Sequence, residues 1–230
     1  MSCNESDRAT RSLPRFSQFS SGNPDGWGIG WFEGNKAFVE RAPERADLDV
    51  FFEDSTQVAR SHTIIAHLRN STRGEPAQCN CHPFTYHHRG RDWLLAHNGW
   101  VNYVDDHPRA EGETDSEQIF HQMMDKVAEY EQGGPIRGQY PALKQAIEHI
   151  IDTYGSNIRL NLLISDGNQL YAYNHYPGKP IYMLRLSKMY GDATPVSTKR
   201  LTNEDWREIP ADKLLAINRG EILVLSDSVI

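Results

Sequence analysis

Apolar and polar positions along this chain predict strands first, two helices in the middle, and strands again. Residues 26 to 33 (GWGIGWFE) and 36 to 41 (KAFVER) read as two strands joined by a tight turn at Gly34-Asn35. TIIAHLR (63 to 69) and WLLAHNG (93 to 99) are short apolar runs that end in polar residues. They read as buried strands that deliver side chains to an edge. Thr114 to Glu117 (TDSE) forms a capping box ahead of an apolar face of Ile119, Phe120, Met123, Met124 and Val127. A second helix is expected from about Pro141 to Tyr154, stopped by Gly155. LNLLISDGNQLYAYNHY (160 to 176) reads as strand, Asp-Gly turn, strand, and KPIYMLRL and GEILVLS add more strands. Residues 1 to 25 are polar and read as loop or short helix, and YHHRG (86 to 90) as a solvated loop. There is no repeat, low-complexity block or linker, so residues 1–230 are expected to be a single mixed domain.

Composition narrows the function. The 230 residues carry 24 basic and 31 acidic side chains, for a net charge of −7. That balance argues against a nucleic-acid partner, which calls for a basic excess. No apolar run reaches the roughly 18 residues of a membrane span, and the N-terminus has no apolar signal-peptide core. Three cysteines without an export signal point to reduced thiols and a cytoplasmic location.

The density of reactive side chains is highest between residues 66 and 117. Arg69 ends an apolar strand and Asp115 opens a helix. They read either as a clamp for a zwitterion, carboxylate on Arg69 and ammonium on Asp115, or as a salt bridge plus a helix-dipole carboxylate. Asn98 and Gly99 read either as two donors to an oxyanion or as an ordinary Asn-Gly turn. CNCH (Cys79 to His82) has an alternative as a metal site, though it lacks the usual Cys-x-x-Cys pairing. The three alternating glycines of GWGIGWF (26 to 32) weaken a strand and so need a reason of their own.

Four blocks in order, NPDGWGIGWFEG, AHLRNSTRGEPAQCNCHPF, AHNG and GETDSE, are similar to those of the stand-alone branch of the class II glutamine amidotransferases, which are N-terminal-nucleophile hydrolases. The resemblance covers nearly the whole chain. It implies an α+β fold, a four-layer αββα sandwich of two antiparallel sheets between helical layers. It also implies hydrolysis of the side-chain amide of glutamine, or of a γ-glutamyl small molecule, through a cysteinyl thioester, with no cofactor. Ammonia would pass to an accepting partner protein, if there is one.

The roles implied are residue by residue. Arg69 binds the α-carboxylate and Asp115 the α-ammonium, while Thr72 and Gly74 line the pocket. Asn98 and Gly99 form the oxyanion hole, and His82 lies near the pocket. The glycines of the tryptophan-glycine strand let the nucleophile and substrate approach the backbone. The family's nucleophile is a cysteine directly after the initiator methionine, with its own α-amine as base. Here the chain opens Met1-Ser2-Cys3, and Cys3 is one residue too deep. Met1-Ser2 matches the end of the family's opening pattern, so the nucleophile is expected about six residues upstream. Cys3, or Ser2, as nucleophile after trimming is the alternative. A catalytically inactive binding or regulatory module that keeps the pocket is the rival reading.

Overall fold

The structure is a computed structural model and describes residues 1–133 and 138–229. Its first half runs β1 (Ser2–Arg8), α1 (Leu13–Phe16), β2 (Trp27–Glu33), β3 (Lys36–Ala42), α2 (Val50–Val58), β4 (Arg60–Leu68), β5 (Phe84–His88) and β6 (Arg91–Trp100). The two long helices follow, α3 (Asp115–Gly133) and α4 (Gln139–Tyr154). Then come β7 (Arg159–Ser165), β8 (Leu170–His175), β9 (Tyr182–Met183), β10 (Val196–Ser197), β11 (Arg207–Glu208), β12 (Leu214–Asn218) and β13 (Glu221–Leu225).

Two antiparallel sheets carry the architecture, one of four strands in the order β1-β4-β2-β3 and one of six in the order β13-β12-β8-β7-β6-β5. A small third sheet is ordered β10-β9-β11. Strand alternation sorts the side chains into three cores. Trp93 and Leu95 of β6 pack with Leu160 and Leu162 of β7 under Phe120, Met124, Leu143 and Ile147 of the long helices. Leu94 and Ala96, the alternate residues of β6, face Phe32 and Ile65 of the other sheet. Trp27, Ile29 and Trp31 turn the opposite way and pack with Leu13 and Phe52 of the short helices. The result is helix, sheet, sheet, helix.

Between Trp27, Ile29 and Trp31, the glycines of β2 face the second sheet. A Cβ on Gly28 would lie 1.9 Å from the carbonyl oxygen of His82, and one on Gly30 would lie 2.8 Å from Cγ of Pro83. The expected purpose, close approach of nucleophile and substrate, is therefore corrected. What the glycines admit is the segment carrying His82 and Pro83.

Several local expectations also change. Residues 2–8 form β1 on the edge of the four-stranded sheet rather than loop or helix. Edge pairing with β4 overrides their polar composition. Tyr86 to His88 belong to β5 instead of a solvated loop, and the Tyr86 hydroxyl donates to Asp125 at 2.7 Å. The capping box is half formed. Glu117 N donates to Thr114 Oγ1 at 3.2 Å, but the Glu117 carboxylate accepts from the amides of Glu111 and Gly112. Among the described residues, no helix is long and apolar enough to cross a membrane.

Candidate active site

The site lies on the seam between the two sheets. On β4, His67 shares the inward face with Ile65. On β6, Asn98 shares the inward face with Leu94 and Ala96. Arg69 follows directly after β4, and Asp115 and Ser116 begin α3. One cavity of about 140 Å³ takes its wall from Arg69, Thr72, His82, Asn98, Gly99 and Asp115, together with His67, His97 and Ser116. It shares Asn23, His67, Leu68 and Asn98 with a second cavity of about 140 Å³, whose lining includes Met1, Leu13, Phe16 and Leu163. Gly74 alone of the expected pocket residues lies elsewhere, on a neighbouring open groove that Thr72 also borders.

Arg69 is buried, with its guanidinium turned onto the loop that follows it. Nη2 donates to the carbonyls of Arg73 (3.0 Å) and Gly74 (2.9 Å) and to Ser71 Oγ (3.1 Å). Nη1 makes longer contacts with the carbonyls of Asp25 (3.4 Å) and Glu75 (3.3 Å). Gly74 thus serves the site through its carbonyl, and its positive φ of 80° suits glycine. The Asp25 carboxylate reinforces the loop by accepting from Ser71 N at 2.7 Å.

Asp115 is also buried. Its Oδ2 accepts from Val101 N at 2.6 Å, and its Oδ1 is 3.5 Å from Ser116 Oγ. Gly99 cannot carry a side chain, because a Cβ there would lie 1.8 Å from the Arg159 carbonyl oxygen and 2.6 Å from His97 Nε2. The turn alternative for Asn98-Gly99 is overturned: both residues lie inside β6, paired with Asn161 and Leu160 of β7.

Three histidines, only one of them expected, surround this wall. The rings of His67 and His82 lie 4.1 Å apart, and His82 Nδ1 accepts from the backbone amide of His97 at 3.3 Å. Burial favours the neutral form of each. It lowers His67 to about 3, His82 well below the usual imidazole value, and His97 in the same direction. Arg69 adds to the effect on His67 and His82. The sequence held a usable signal for His67 and His97: both stand in Ala-His dipeptides just before the ends of apolar strands.

The thiols lie apart from this wall. Cys3 is buried in the outer core with Trp27 and Ile64. Cys81 Sγ is 3.4 Å from the carbonyls of Ala42 and Ala77, and burial pushes its thiol up to about 11. Among the described residues, no cysteine lines either cavity, and no group of three His, Cys, Asp or Glu side chains is placed to hold a metal ion. Cys79, Cys81 and His82 therefore do not form the alternative metal site. Met1 lines the second cavity; its buried amine donates to the Ile64 carbonyl at 2.7 Å and is lowered to about 6, chiefly by burial.

An αββα stack with its candidate site on the seam defines the N-terminal-nucleophile hydrolase fold. The same fold occurs in the glutamine phosphoribosylpyrophosphate amidotransferase of B. subtilis, solved with ADP and GMP. That structure gives a TM-score of 0.69 at 14% identity, over 98% of this chain and 48% of that one. The sequence profile for the class II glutamine amidotransferases matches residues 1–194, and the chain belongs to that family. It is similar to a predicted glutamine amidotransferase from Pseudomonas aeruginosa PA01 with a 2.0 Å crystal structure (TM-score 0.62, 26% identity, 87% of each chain). It is also 32% identical to the gamma-glutamyl-hercynylcysteine sulfoxide hydrolase of Mycobacterium tuberculosis, over 72% of this chain and 65% of that protein. The chain spans less than two thirds of the length of the first curated relatives it matches.

Proposed function

We propose that residues 1–230 belong to one glutaminase domain, which cleaves the side-chain amide of glutamine or of a γ-glutamyl compound with a nucleophile supplied from ahead of Met1. The observation that carries this reading is convergence. Arg69, Thr72, His82, Asn98, Gly99 and Asp115 come from separate segments and line one cavity. Arg69 takes the α-carboxylate, whose charge-assisted bonds displace the longer contacts to the Asp25 and Glu75 carbonyls. Asp115 takes the α-ammonium. The side chain then runs along the seam toward Asn98.

A cysteine thiolate attacks the amide carbon there. The C=O bond becomes an oxyanion stabilised by the Asn98 amide and the Gly99 N–H. The intermediate collapses, the C–N bond breaks, and the amine departs with a proton. Water then releases glutamate from the thioester. In this reading the thiolate belongs to a cysteine ahead of Met1, and an α-amine is its base. Met1 lines the second cavity, which meets the first at Asn98 and His67. Ammonia is either released or delivered to a partner protein.

Ammonia release from glutamine tests the proposal. The 230-residue protein should release little, and addition of an upstream Met-Cys segment should restore turnover. Full activity of the 230-residue form, lost on Cys3→Ala, would overturn the placement of the nucleophile. The second reading, a binding module without hydrolysis, is favoured by the separation of all three thiols from the cavity. It predicts glutamine binding without turnover in both forms.

A further inference from the structure

His97 is absent from the roles the resemblance implies, yet it makes more polar contacts than any other histidine of the cavity. Its Nε2 is 2.7 Å from the Arg159 carbonyl oxygen. A carbonyl only accepts, so Nε2 carries the hydrogen. In the neutral ring Nδ1 is then an acceptor, and Ser116 Oγ, 2.9 Å away, donates to it. His97 and Ser116 are both buried, where a lost partner is costly.

The bonds run between parts of the site. His97 and Asn98 are consecutive on β6, so they point to opposite faces: His97 to the helical layer, Asn98 to the seam. Ser116 is the neighbour of Asp115 at the start of α3. Asp115 is anchored a second time to the same strand end, through Val101 N. Between the two anchors lies Gly99, whose missing Cβ admits the Arg159 carbonyl to His97.

We propose that His97 is a positioning residue: by holding Ser116, the chain neighbour of Asp115, it fixes the first turn of α3 and so sets the Asp115 carboxylate at a defined distance from Asn98 and Gly99, so that the ammonium and oxyanion ends of one substrate are held together. The inference rests on the clamp reading of Asp115 given above. A buried histidine that merely fills space would stabilise the fold without affecting which ligands bind.

Ligands that differ only in the ammonium separate these roles. L-Glutamate carries it and glutarate does not. Binding of each to the 230-residue protein is measured by calorimetry, and needs no nucleophile. The wild type should prefer glutamate. Ser116→Ala and His97→Gln should reduce that preference about tenfold, the scale of one charge-assisted bond, and leave glutarate affinity within about twofold. Ser116→Thr keeps the hydroxyl and should keep the preference. Retention of the preference in Ser116→Ala and His97→Gln, or equal weakening of both ligands, overturns the inference. A wild type without preference overturns the clamp itself, a different failure. Should His97→Gln fail to fold, Ser116→Ala decides alone.

Discussion

The carbonyl oxygen of His82 occupies the space that a Cβ on Gly28 would need, at a separation of 1.9 Å. Gly28→Ala must therefore push β2 and the His82 segment apart. Overpacking of this kind costs about 1–3 kcal/mol or more. The denaturation midpoint should fall accordingly, and glutamine affinity with it, because His82 lines the cavity. Gly22→Ala is the control: nothing lies within 4 Å of a Cβ there. It should leave stability within about 0.5 kcal/mol.

Arg69 should fail to tolerate lysine. Its two terminal nitrogens reach the carbonyls of Asp25, Arg73, Gly74 and Glu75 together, a fork that an ammonium cannot reproduce. Arg69→Lys and Arg69→Ala should each weaken glutamine binding by about tenfold or more. Both should also speed proteolysis in the 70–75 loop. Unchanged cleavage there, under a protease that nicks the wild type slowly, would count against the loop-organising role.

Acid should unfold this protein through its histidines. In the unfolded chain they titrate near 6.5, whereas folded His67 is held down to about 3. Between those values the unfolded chain binds a proton that the folded one refuses. The stabilising effect of a neutral His67 is thus complete above about pH 6.5 and declines as pH falls toward 3. His82 and His97 are shifted the same way. His67 alone adds up to about 1.4 kcal/mol per pH unit to the slope, and His82 and His97 add in the same direction. His67→Gln should reduce the slope by one such increment between about pH 4.5 and 6, measured by urea denaturation at several pH values.

Asn98 is expected to act on the transition state. In a turnover-competent protein, Asn98→Ala should lower kcat about 100- to 1000-fold and leave KM within a few-fold. The melting temperature of the same preparation should stay near that of the wild type. A destabilised variant with near-normal kcat would sink the oxyanion assignment.

Much of this was legible in the sequence, for identifiable reasons. The strands around Ile29, Ile64 and Leu94 and the helices around Phe120 and Ile147 announce themselves because their apolar spacing matches a buried face. β1 is not legible because its residues are mostly polar and are held by pairing to β4. β5 is hidden in the sequence because Tyr86, His87 and His88 have the composition of a solvated loop, although His88 is bound to Glu131. At the site, Arg69, Asn98 and Asp115 could be named from the resemblance, and the cavity contains all three. His97 could not, since its importance lies in the Arg159 carbonyl and Ser116, partners 62 and 19 residues away. The glycines of β2 stand out in the sequence, but their neighbour, the His82 segment, comes beside them only once the chain has folded.

The placement of the site on a seam has a further consequence. One jaw, His67 and Arg69, is mounted on the four-stranded sheet, and the other, Asn98 and Gly99, on the six-stranded sheet. The gap between the jaws is shimmed by side chains outside the lining of the first cavity, Phe32 and Ile65 against Leu94 and Ala96. Thickening or thinning that shim by a methylene resets the gauge of the whole site at once. Substrate fit in this protein is therefore adjustable from its driest residues.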